Sequence, residues 1–101
     1  MATLTKALFR GAATTTVGTT LYTTPASTST VVSNIVVTNT AGTAATFTLG
    51  IAGTSLATTV AIGANSIVTL DLKQVLATTN TITGGASAVT VNFHISGVEI
   101  S

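Results

Sequence analysis

Cysteine and tryptophan are absent from this 101-residue chain, and proline, histidine and tyrosine occur once each. Without cysteine there is no disulfide framework and no zinc–thiolate centre. Charge is nearly absent too: 5% of residues, where roughly 25% is usual for a globular protein. The net charge of +1 comes from Lys6, Arg10 and Lys73 against Asp71 and Glu99. Three scattered cations cannot supply the basic stripe that nucleic acid requires. Mean hydropathy is high at +0.71, yet no apolar run approaches the ~18 residues of a spanning helix. The opening "MATLTKALFRG" has a lysine and only a short apolar stretch, so no secretory signal is expected there. The expectation is a soluble chain made in the cytoplasm, with neither nucleic acid nor membrane as partner.

What fills the chain instead is threonine, about a quarter of all residues, with Ala and Val. β-Branched residues favour strands, and scarce Glu, Lys and Leu disfavour helices. Apolar residues alternate with polar ones in short runs, the signature of a strand with one buried face. Ala45, Phe47, Leu49 and Ile51 share a face in "AATFTLGIAG"; Val89, Val91, Phe93 and Ile95 do so in "AVTVNFHIS"; Val68, Leu70 and Leu72 do so in "SIVTLDL". Eight strands are expected, near residues 4–10, 15–23, 30–39, 44–52, 56–62, 66–73, 79–83 and 88–100. Turn signals separate them at "NTAGT", "IGANS" and "TGGAS", and Pro25 marks a strand end or edge. One short helical turn fits "LKQVL".

The fold expected is all-β: a single antiparallel β-sandwich or jelly-roll-like domain over residues 1–101. Two irregularities stand out. Val31, Ile35 and Val37 fall on one face of their strand and Val32 and Val36 on the other, as for a strand covered on both sides or at a subunit contact. In the last strand the apolar positions change from odd to even after Ile95, which a β-bulge at Gly97 explains.

Catalytic chemistry finds little footing. His94 is the single histidine and the acids are Asp71 and Glu99, so a Ser/His/Asp set has no specific match. Asp71 and Lys73 read as two strand-face charges that pair weakly. "TGGAS" is not a phosphate loop, since no lysine or helix follows it. The Thr-x-Thr pairs lack the constant repeat of an ice-binding ladder. Tyr22 is a lone aromatic, better placed in a core or edge than under a sugar. The expectation is no enzyme, no cofactor and no metal.

A nearly uncharged surface fits either a neutral, hydroxyl-rich exterior or burial against other subunits; the second is the expectation here. Residues 1–12 form a first strand or an arm that docks on a neighbour. The candidate contact residues are Leu4, Lys6, Leu8, Phe9 and Arg10, together with Val32 and Val36.

The stretch "LYTTPASTSTVVSNIVVTNTAGTAATFTL", with its lead-in "LYTTPA" and its Val/Ile-rich strand ending in "NT", resembles a family of small phage virion proteins. "LDLKQVL" and the ending "ISGVEI" resemble the later sections of the same proteins, so the likeness covers most of the chain from Leu21. The resemblance implies a structural component of a tailed-phage particle: a capsid decoration or cement protein, or else a tail, neck or fibre-associated protein. It implies the major capsid protein and copies of itself as partners. Three-fold sites on shells fit a trimer, and a dimer across a two-fold is the alternative. A carbohydrate-binding sandwich at a host-facing tip is the reading from a different class.

Overall fold

The computed structural model describes residues 3–71 and 73–101. Among these residues nine strands are present: β1 Thr3–Ala12, β2 Thr20–Thr23, β3 Ser29–Asn39, β4 Ala45–Ile51, β5 Thr54–Ile62, β6 Ser66–Leu70, β7 Gln74–Leu76, β8 Thr81–Ala86 and β9 Val91–Ile100. They form two antiparallel sheets. The first runs β1-β9-β3-β6, with β7 continuing the β6 side of β3; the second runs β2-β8-β4-β5. Because β6 and β7 both pair with β3, they act as two segments of one strand position alongside it. Counted so, there are eight strands, pairing first with eighth, second with seventh, third with sixth and fourth with fifth. That nested pairing is a hairpin ribbon rolled over on itself, the winding of a jelly roll.

Side-chain alternation places the core between the sheets. Val32, Ile35 and Val37 from β3 and Val91, Phe93 and Ile95 from β9 meet Phe47 and Leu49 from β4 and Ile82 from β8, all at most 1% exposed. Phe47 and Phe93 face each other across the two sheets, edge to face, with ring centroids 6.4 Å apart and planes at 75°. The β4–β5 hairpin closes on two residues, Ala52 and Gly53, both at positive φ. That is the handedness a two-residue turn needs to match strand twist, and only the second position has the residue suited to it.

Three local expectations are corrected. Val32 lies on the core face with Ile35, because Ser33 is an extra residue in β3: the β3–β9 register shifts between Val32 and Asn34. The bulge inverts the parity read from sequence, so Val32 is fully buried and unavailable to a partner, while Val36 remains outward and half-buried. β9 itself has no bulge at Gly97. Its two neighbours carry them instead, β3 at Ser33 and β1 at Leu8, where the register shifts between Ala7 and Phe9. Leu8 folds inward over the space left by Gly97: a methyl group there would press on the Leu8 side chain and collide with the Val31 carbonyl. Leu8 is therefore a core residue, not a docking one.

The glycines of "TGGAS" are not a turn. Gly84 and Gly85 are buried within β8, since a side chain on the first would strike Leu49 and Leu21, and on the second the backbone of Thr16 and Val17. The turn falls one step later, so Val89 lies in it, exposed, and β9 begins at Val91. Gln74–Leu76 is strand and not helical; Leu72, expected on the inward face of its strand, lies outside the described residues.

Candidate functional site

No three His, Asp or Glu side chains converge among the described residues. His94 lies on the outward side of β9, opposite Arg10 of β1. Asp71 and Lys73 are exposed in the break between β6 and β7, and the ion pair found among the described residues is instead Lys6 with Glu99, at 3.4 Å. Of the expected contact residues, Leu4 and Arg10 are exposed, Lys6 is partly engaged by Glu99, and Phe9 packs half-buried against the core. Residues 3–12 are a paired strand along their whole length, since every residue from Thr3 to Ala12 except the bulged Leu8 has a partner in β9. Of the two expectations for residues 1–12, first strand or docking arm, the described part is the first strand, at the edge of a sheet.

Glu99 joins the two sheets. Its carboxylate accepts a hydrogen bond from the Tyr22 hydroxyl of β2, in the opposite sheet. Thr30 Oγ1 of β3, buried and registered with Glu99, lies 2.9 Å from the same hydroxyl. With its one hydrogen committed to Glu99, the phenol accepts from Thr30. Burial first, and the bond to Glu99 second, push the Tyr22 hydroxyl above its ordinary value near 10. Tyr22 is thereby withdrawn into the protein and offers no sugar platform. The pairing spans 77 positions in sequence, so no local pattern reveals it.

The sign of its pH effect follows. A raised folded pKa stabilises fully below the unfolded value near 10 and loses that contribution as pH rises through the folded one. Tyr22→Phe is therefore expected to cost about 1–3 kcal/mol at pH 7, with the gap to wild type narrowing above pH 10. Urea titrations at pH 7 and pH 11 check this; a gap unchanged by pH counts against it.

Outside the core, the two sheets present unlike surfaces. On β4 and β8 the residues facing away from the core are Thr46, Thr48 and Gly50 beside Gly85, Thr83 and Thr81, uncharged, with the Thr16–Val17 backbone lying over Gly85; Val17, and Leu56 and Val60 of β5, are exposed on this side of the molecule. On the other sheet the outward rows are apolar at many points. One row reads Thr5–Val98–Val31–Val75 across four registered strands; a second reads Arg10–His94–Val36–Thr69; a third reads Ala12–Asn92–Thr38–Ile67. Ile67 and Val75, each 70% exposed, are the most exposed large apolar side chains among the described residues. A shallow depression bordered by Thr5, Ala7, Arg10, Ser33, Ser96 and Val98 opens on this same sheet. Sequence reading found Val36 and Arg10 here but missed Val98, which the assumed bulge at Gly97 had turned inward, Val31, whose face is set by the bulge at Ser33, and Val75, which had been placed in a helical turn.

Compared with known protein families, with curated proteins and with solved structures, the chain matches none.

Proposed function

We propose that this protein is a non-enzymatic structural component of a tailed-phage virion, a capsid decoration or cement protein that stabilises the shell by bridging its subunits. The observation that carries the reading is the exterior of the jelly roll: nearly free of charge, with one broad outward sheet face bearing valine and isoleucine in registered rows. Surfaces of that kind gain affinity from complementarity over area, and contiguous apolar exposure marks a contact surface. The likeness of "LYTTPA…IVVTNT" and "ISGVEI" to small virion proteins supplies the class of particle. A cement protein binds the assembled shell in preference to free subunits and so stabilises it by linkage. Many copies on one lattice add avidity to a modest single contact.

Purified protein incubated with expanded capsids, then imaged, tests the proposal. Decoration of the shell is the expected result. Binding is expected to persist at ~1 M salt, where the screening length falls to about 3 Å, because few charges are present to be screened. Release at high ionic strength, or binding confined to tail, neck or fibre, counts against the cement reading.

A further inference from the structure

Each sheet ends in strands that pair on one side only: β1 and the β6–β7 position in the first, β2 and β5 in the second. Such an edge is a template for a strand of another molecule, the more so where residues are β-branched and uncharged. A chain with 5% charge and about a quarter threonine is of that kind along most of its length. Its few charges are not spread evenly. Lys6 and Arg10 lie in β1, and Asp71 and Lys73 lie exposed between the end of β6 and the start of β7. Strands β2 to β8 carry no charge. The fifth charge, Glu99 of β9, pairs with Lys6.

On β1 the two cations flank the bulge at Leu8 and point to opposite sides. Lys6 is turned toward the core side, where its ammonium reaches Glu99 beside the buried Thr30, and Arg10 is turned outward beside His94. An inward-pointing charge, a lysine and a bulge are each known protections of an edge strand. Two antiparallel β1 strands centred on Leu8 would set Lys6 against Arg10 of the other copy, like charge on like. At the opposite edge an added strand would run past Asp71 and Lys73 and strip water from both. The second sheet is defended by shape instead. There β2 is four residues long with Pro25 just beyond it, and the Thr14 and Thr19 carbonyls take up the next amides of β8. The register of β5 on β4 shifts twice, with Thr59 at positive φ.

From this placement we propose that Lys6, Arg10, Asp71 and Lys73 are edge guards, which keep the first sheet from adding a strand of another copy and the folded chain from growing into an open polymer. The role belongs to strand edges and not to the sheet face, and holds whether or not the protein binds a shell.

Light scattering and electron microscopy of the concentrated free protein test it. Wild type is expected to keep a constant size for days. Lys6→Thr with Asp71→Thr takes one guard from each edge at unchanged net charge, since one cation and one anion are lost. This variant is expected to grow into filaments, with a many-fold rise in scattered light. Both positions are exposed, so its urea midpoint is expected to stay at the wild-type value and the filaments to grow from folded protein. A control of identical composition moves the two charges to interior strands, adding Thr38→Lys in β3 and Thr46→Asp in β4; it is expected to polymerise as well. A double variant that stays dispersed overturns the proposal, as does one that aggregates only after unfolding. A relocated control that stays dispersed also overturns it, because the charges would then be general solubilisers whose position does not count.

Discussion

Phe93→Ala is expected to cost about 3–5 kcal/mol, the range for removing a fully buried phenylalanine ring. Phe93 is fully buried at the middle of β9, paired with Gly11 on one side and Val37 on the other, so its backbone cannot shift to close a void. Its ring is one of only three phenylalanines in a chain that is 4% aromatic, and it meets Phe47 of the opposite sheet edge to face. The surrounding core is Val, Ile and Leu, held by strands on both sides and short of the flexible side chains that fill a cavity. A domain of this size has about 5–15 kcal/mol of stability in total. Phe93→Ala therefore removes a large share of it. Urea unfolding of Phe93→Ala and Phe93→Leu measures the effect, with Phe93→Leu expected to lose less than half as much. A loss under about 1.5 kcal/mol for the alanine variant would show that the sheets close over the gap.

Asn39→Ala is expected to cost about 2–4 kcal/mol through polar groups left unpaired. Asn39 ends β3, is 2% exposed and uses its full hydrogen-bonding capacity. Its Nδ2 donates to the Thr43 and Gly63 carbonyls at 2.9 and 3.2 Å, and its Oδ1 accepts from the Ala41 amide and the Thr90 hydroxyl, both at 3.1 Å. One side chain thus ties together the β3–β4 turn, the β5–β6 turn and the β8–β9 turn. Truncation leaves two carbonyls, an amide and a hydroxyl to find partners at a buried position. Asn39→Asp discriminates this from simple packing. A carboxylate has no hydrogen for the two carbonyls, so Asn39→Asp is expected to lose at least as much stability as the alanine variant at pH 7 and to regain part of it on acidification. Thermal unfolding of both variants at pH 7 and pH 4 checks the pair; an Asn39→Asp variant as stable as wild type would contradict the network.

The period-two alternation of Ala45–Ile51 and of Val91–Ile95 is written in neighbouring residues, and so most of the strands and the sandwich were legible from sequence. Bulges were not, because an inserted residue changes which face its strand buries only relative to the strand alongside. Sequence parity located an irregularity at Gly97 correctly in height but assigned it to the wrong strand. Leu8 and Ser33, the residues that carry it, have nothing local to mark them. Gly84 and Gly85 were read as a turn because glycine is the commonest turn residue; the crowding by Leu49, Leu21 and the Thr16 backbone that excludes larger residues is entirely long-range. The candidate surface was half legible for the same reason. Val36 and Arg10 were found as outward residues, whereas Val31 and Val98 required the true register.

The nested pairing of the strands has a consequence for the time order in which the chain becomes a protein. Lys6 and Glu99 are 93 positions apart, and β9 lies between β1 and β3, completing both. During synthesis β1 has no partner until almost everything after it has been made, and β3 has one free side until the same moment. The fold cannot grow from its first residues outward as a stack of local hairpins does. It must close late, from its middle strands toward its ends, with the entropy of a long loop met before β1 gains its ladder. Until then β3, uncharged and rich in valine, stands open along one side, which makes the nascent chain more exposed to mispairing than the finished one.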